Sequence, residues 1–171
     1  MKKIVLFASG SGSNAENIIH YFNENGKASV LCVYTNNPAA GVIERCGRLD
    51  IPCRIFNREE WNTGVVTEEM VCLKPNLVVL AGFLWLVPKS FVEAFPQKIV
   101  NIHPALLPKY GGKGMYGDFV HAAVSDAGDT ETGITIHYVN EQYDKGSIIF
   151  QKSMKIKAHA TPQEIAAGIH H

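Results

Sequence analysis

Ile4-Val5-Leu6-Phe7-Ala8 is an unbroken apolar run, the pattern of a strand covered on both faces. Gly10-Ser11-Gly12-Ser13-Asn14 interrupts it. Ala15, Ile18, Ile19 and Phe22 then recur at i, i+3, i+4 and i+7, which predicts a helix stopped at Gly26. Ser29 to Thr35 reads as a second strand closed by Asn36-Asn37-Pro38, and Val42, Ile43, Cys46 and Leu49 mark a second helix ending before Pro52. A short strand around Arg54 to Phe56 follows, then a helix over roughly Arg58 to Leu73, with Gly64 and two valines against its propensity. Leu77 to Ala81 is another fully apolar strand. This alternation predicts a parallel sheet between helices.

Beyond Pro88, Phe91, Val92 and Phe95 predict a helix ending at Pro96, and Lys98 to Ile102 a strand. His103 to Gly114, with its prolines and glycines, predicts an ordered loop, and Val120, Ala123, Val124 and Ala127 a helix stopped by Gly128. The period then changes to two: Ile134, Ile136 and Tyr138 alternate with Thr135, His137 and Val139, a strand with two unlike faces. Ile148-Ile149-Phe150 is its expected hairpin partner across Asn140 to Gly146. Thr161-Pro162-Gln163-Glu164 is a capping box with proline at the first helical position. The expected fold is α/β, Rossmann-like and doubly wound, a mostly parallel sheet with a C-terminal antiparallel hairpin. It is expected to form one domain over residues 1–171, cut short within its last helix, where His170 and His171 carry no pattern of their own.

Composition narrows the function. Lys plus Arg and Asp plus Glu number 16 each, for zero formal charge, which removes the global attraction of a general nucleic-acid binder. Apolar residues make up 46% of the chain, enough for a substantial core rather than disorder. No apolar run approaches the ~18 residues needed to cross a bilayer. The opening apolar stretch is too short for a signal peptide. Cys32, Cys46, Cys53 and Cys72 form neither a Cys-x-x-Cys nor a zinc spacing and read as small hydrophobes in a reducing compartment. The expectation is a cytoplasmic domain with no nucleic-acid, membrane or metal partner.

Three features can carry chemistry. A strand running through Gly10-Ser11-Gly12-Ser13-Asn14 into a helix presents backbone N–H groups at the positive end of a helix dipole, an anion site suited to phosphate. The alternative is a tight turn with Ser13 or Asn14 as N-cap. A dinucleotide is disfavoured, because Tyr34-Thr35-Asn36-Asn37 offers no acidic residue for an adenine ribose. Asn101 and His103, two apart near the end of a strand, can face one side and suit an oxyanion or a proton transfer at a carbonyl; a strand-end turn is the competing reading. Asp144, in Asp144-Lys145-Gly146, is either ordinary turn chemistry or a carboxylate brought to His103 by the hairpin. In the second case it is expected to raise the imidazole pKa and favour the imidazolium.

Gly10 to Asn14, Ala81-Gly82-Phe83, Asn101-Ile102-His103-Pro104 with Leu106-Leu107-Pro108, Thr132 to His137 and Asp144-x-Gly146-x-Ile148-Ile149 occur in this order. Together they resemble the formyltransferase superfamily, and within it the folate-dependent family that formylates glycinamide ribonucleotide in purine biosynthesis. The resemblance implies formyl transfer from 10-formyltetrahydrofolate to the amine of glycinamide ribonucleotide by a monomer or homodimer. Asn101, His103 and Asp144 match the family's catalytic triplet, with protonated His103 at the oxyanion. Gly12, Ser13 and Asn14 match its substrate-phosphate loop, and Arg58, Trp85, Leu86, Val87, Val139 and Asn140 its folate-binding segments. Trp85 stands where many relatives have arginine, and Lys109 to Tyr116 departs from the usual form of that loop. Family members also continue past residue 171. The alternatives are a formyltetrahydrofolate deformylase-type hydrolase and a non-catalytic nucleotide-binding module.

Overall fold

The computed structural model describes residues 1–170; His171, of the closing histidine pair, lies outside the described residues. The chain divides into two compact units, Met1–Val100 and Asn101–His171.

The first unit contains β1 (Lys2–Phe7), α1 (Ser13–Asn25), β2 (Ala28–Thr35), α2 (Val42–Arg48), β3 (Cys53–Ile55), α3 (Arg58–Thr63), α4 (Val65–Leu73), β4 (Leu77–Leu80) and α5 (Lys89–Ala94). The strand β5 (Ile99–His103) starts here and ends in the second unit, which adds α6 (Asp118–Asp126), β6 (Glu131–Tyr138), β7 (Ile148–Lys155) and α7 (Pro162–His170). Strand order is β3-β2-β1-β4-β5-β6-β7. β1 runs parallel to both β2 and β4, and β2 parallel to β3, whereas β6 and β7 are antiparallel. This is the doubly wound sheet with a terminal hairpin that the pattern predicts.

The core of the first unit forms around Phe7, which is fully buried. Its ring stacks on Tyr34 at 5.1 Å and meets Phe83 at 5.4 Å and Trp61 and Phe91 at 5.7 Å each. Each buried aromatic contributes roughly 1.5–3 kcal/mol through the surface it removes from water. The helix expected over Arg58 to Leu73 is two helices. Gly64 sits at φ 91°, a left-handed turn that ends α3 and starts α4. The apolar pattern runs through the break because both helices bury a face, with Trp61 on α3 and Val66 and Met70 on α4. Cys32 and Cys46 are buried, Cys53 is half-buried and Cys72 is exposed on α4; all four are free thiols.

In the second unit α7 buries Ile165 against Val124 and Ala160. The capping box is formed: Glu164 N–H donates to Thr161 Oγ1 (3.2 Å), and the Glu164 carboxylate accepts from the Thr161 N–H (2.8 Å). Thr161→Ala is expected to lower stability by about 1 kcal/mol, read as a shift in the urea midpoint with an unchanged slope. Among the described residues no helix is long and apolar enough to cross a membrane.

β6 reverses the usual arrangement of a two-faced strand. Thr135 is 0% and His137 2% exposed, while Ile134 and Ile136 are only half-buried and Tyr138 is exposed. Thr135 and His137 point inward because each has a partner there, which is the condition for burying polar groups.

Candidate active site

Thr135 fixes the segment that follows β5. Its hydroxyl donates to the Ala105 carbonyl (2.7 Å) and accepts from the Leu107 N–H (3.0 Å) and Gln151 Nε2 (2.9 Å). Gln151 Nε2 also donates to the Leu107 carbonyl at 2.9 Å. These side chains satisfy backbone groups that have left the ladder, so the chain stays ordered beyond His103 and turns through the cis Leu107–Pro108 peptide.

Asn101, His103 and Asp144 are brought together, and His137 joins them. Asn101 Nδ2 donates to His137 Nε2 (3.1 Å) and to Asp144 Oδ1 (3.3 Å). The Gly112 N–H donates to Asp144 Oδ2 at 2.9 Å. His103 Nδ1 lies 3.6 Å and His137 Nε2 3.4 Å from Asp144 Oδ1. Carbonyl partners set the tautomers, because a carbonyl only accepts. His103 Nε2 donates to the Tyr110 carbonyl (2.8 Å), and His137 Nδ1 donates to that of Tyr138 (2.8 Å). The Nδ1 of His103 and the Nε2 of His137 are therefore the nitrogens that face the carboxylate.

Burial decides the charge of His103. The ring is 2% exposed. Desolvation pushes its pKa below the ordinary value, outweighing the upward pull of Asp144 and of the Tyr110 carbonyl. Asp144 thus raises the imidazole pKa as expected but does not keep the ring charged: burial is the larger effect, and the resting imidazole is neutral near pH 7. At Asp144 burial works to raise the carboxyl. The lowering contacts outweigh it, among them the Gly112 N–H that donates to Oδ2 at 2.9 Å, so the carboxyl lies below its usual range and is ionised. Asp144 is held at φ 53° and Tyr110 at φ 55°, both left-handed, so two of the site's backbone positions are conformationally costly. Gly146 is required by contact: a Cβ there would stand 1.6 Å from the Tyr138 carbonyl oxygen.

In the first unit, the loop from Gly10 leads into α1 with Gly12 at the N-cap, at φ 78°, and without a side-chain cap. Ser13 and Asn14 are therefore the first two helical residues rather than the cap. A Cβ on Gly12 would come within 2.4 Å of Val42 Cγ2, so the loop lies directly on α2. Arg58 places its guanidinium 3.7 Å above the Trp85 ring, a cation–π stack. Trp85 packs on Phe56 (5.8 Å) and Phe83 (6.4 Å), Leu86 is exposed with its carbonyl accepting from Trp61 Nε1 (3.0 Å), and Val87 is buried. In the second unit, Val139 and Asn140 follow β6, and Asn140 Oδ1 caps the turn by accepting from the Gln142 N–H (2.9 Å).

His137, Tyr110 and Gly112 were not singled out by spacing. For His137 the signal existed: it stands two residues after Thr135 on one face of β6, as Asn101 and His103 do on β5. For Tyr110 and Gly112 none existed, since each contributes a backbone group.

Residues 2–171 match the family described as Formyl transferase. The chain is 40% identical over 178 residues to the chloroplastic phosphoribosylglycinamide formyltransferase of Arabidopsis thaliana, covering 99% of this chain and 61% of that protein. It thus spans less than two thirds of that relative. It is 37% identical over 176 residues to the phosphoribosylglycinamide formyltransferase of Bacillus subtilis, covering 99% of this chain and 88% of the relative. The solved structure of glycinamide ribonucleotide transformylase 1 from Symbiobacterium toebii superposes with a TM-score of 0.90 at 27% identity, covering 99% of this chain and 81% of that one.

Proposed function

The chain belongs to the formyl transferase family, and from that premise we propose that it transfers formyl from 10-formyltetrahydrofolate to the amine of glycinamide ribonucleotide. The observation that carries the reading is the convergence of an amide donor, a buried neutral imidazole and an ionised carboxylate at Asn101, His103 and Asp144. The names of the relatives favour the same substrate.

The amine nitrogen attacks the formyl carbon, a C–N bond forms, and negative charge develops on the formyl oxygen. Asn101 and His103 stabilise that charge by hydrogen bonding once their N–H groups turn to the formyl oxygen from the partners they hold at rest; removing one such donor typically costs ~2.7–4 kcal/mol of transition-state stabilisation. Asp144 accepts the proton shed by the attacking amine and returns it to the folate nitrogen as the old C–N bond breaks. The amine is the nucleophile, so no residue of the chain becomes acylated.

Gly12, Ser13 and Asn14 hold the ribonucleotide phosphate at the start of α1, where backbone N–H groups and the helix dipole favour an anion. Arg58, Trp85, Leu86, Val87, Val139 and Asn140 serve the folate. Replacing Ser13 and Asn14 together by Ala is expected to raise the KM for the ribonucleotide about tenfold, with a smaller change for the formylfolate. Equal losses for both substrates would make the loop a structural turn.

The test of the whole reading is formyl transfer by the chain given both substrates. Formate release without an acceptor amine favours the deformylase, and ribonucleotide binding without turnover favours the silent module.

A further inference from the structure

We infer that Arg45 is a positioning residue for the phosphate end of the ribonucleotide: it holds the glycine loop by the Ser11 carbonyl and cancels the Glu16 carboxylate at the helix end where the phosphate sits. The inference rests on the reading of Gly10 to Asn14 as the phosphate loop and deepens it.

Arg45 lies on α2, behind that loop. Its Nε donates to the Ser11 carbonyl at 2.8 Å, and its Nη1 pairs with Glu16 Oε2. The neighbouring backbone works in the same direction, since the Val42 N–H donates to the Gly10 carbonyl at 3.2 Å. In a planar trans peptide the C=O and the following N–H point opposite ways. Drawing the carbonyls of Gly10 and Ser11 toward α2 therefore aims the N–H groups of Ser11 and Gly12 away from it, as an anion site requires. α2 acts as a back wall that turns donors outward.

The second role is electrostatic. Glu16 stands in the first turn of α1, where an acidic side chain suits the helix dipole while the site is empty. With a phosphate dianion at the same helix end it becomes a like charge, and it is only 20% exposed, so water screens it incompletely. Two arginines answer it, Arg45 from one side and Arg48 Nη2 at 3.2 Å from the other. Arg45 is the more buried of the two, 30% exposed against 56%, and alone also reaches the loop. Its planar fork permits both contacts together, which a lysine ammonium at one point cannot reproduce.

The experiment measures kcat and both KM values for the full chain carrying Arg45→Met, Arg45→Lys, and Arg45→Met with Glu16→Gln. Arg45→Met is expected to raise the ribonucleotide KM on the order of tenfold, with kcat and the formylfolate KM moving less than about twofold. Glu16→Gln in that background should recover a large part of the loss, and Arg45→Lys should fall between wild type and Arg45→Met. Equal rises in both KM values overturn the inference, as does a double variant no better than Arg45→Met. Should Arg45→Met not fold, Glu16→Gln alone decides: a lower ribonucleotide KM supports charge cancellation and a higher one overturns it. A wild-type chain that fails to turn over glycinamide ribonucleotide overturns the proposed reaction itself. Turnover without the KM split overturns only the role of Arg45.

Discussion

Asp144→Asn is expected to fold, to bind the ribonucleotide, and to lose turnover by a factor on the order of 10²–10⁴, the usual contribution of a positioned acid–base group. The amide keeps the size of the carboxyl and can still accept from the Gly112 N–H, so the left-handed turn at residue 144 retains its support. What it loses is the charge and the capacity to carry a proton. Two further signatures separate this from a folding defect. Asp144 provides the larger part of the upward pull on the His103 pKa, so the His103 titration midpoint, followed by NMR, should fall further below its ordinary value in the variant. The Asp144 carboxyl is held below its ordinary value when folded, so it contributes stability above that value and loses it as pH falls through the folded-state pKa. The stability gap between wild type and variant should therefore close in acid. Near-normal turnover at every pH, or a His103 midpoint that rises, would remove Asp144 from the proposed mechanism.

His103→Ala should lower kcat on the order of 10²–10³, the cost of one oxyanion donor. The ribonucleotide KM should change little, because the proposed phosphate contacts are at Gly12, Ser13 and Asn14. His103→Gln distinguishes what the ring supplies. If a neutral donor is enough at rest, the glutamine amide retains more activity than alanine; equal activities for the two would assign His103 to proton transfer instead. The pH dependence of stability has a definite sign. Burial lowers the folded-state pKa of His103, so the folded chain binds fewer protons than the unfolded chain as pH falls through the ordinary value of about 6.5. The histidine therefore destabilises the fold progressively in mild acid, and His103→Ala should flatten that slope in urea titrations between roughly pH 7 and 5. An unchanged slope would mean that the ring is not held neutral by burial.

Most of the secondary structure was legible because helix and strand periods are local. Ala15 and Ile19 lie buried on α1 as their spacing predicts, and the Thr161 capping box is present. The helix break at Gly64 was missed because hydrophobic periodicity records which faces are buried, not the φ of one residue between them. The competing reading of Ser13 or Asn14 as the cap of α1 does not hold, because Gly12, in tight approach to Val42, is the residue at which the helix begins.

The site was legible in part. Spacing placed Asn101 and His103 on one strand face, and Asp144 entered through a turn motif and a family resemblance. The inward polar face of β6 was not legible, because hydrophobicity puts Ile134 and Ile136 ahead of Thr135 and His137 for burial. The latter pair wins only because Ala105, Leu107 and Asn101 supply hydrogen bonds from segments about thirty or more positions away.

The amino-acid order alone determined the alternation of strands and helices, the glycine loop and the residue types available for chemistry, since these depend on backbone geometry within a few residues. Tertiary structure decided the charge of His103 and the recruitment of His137. Charge depends on how much water the fold removes from the ring, and recruitment on which distant polar groups meet there. Desolvation and partner geometry arise only once residues far apart in the chain have come together.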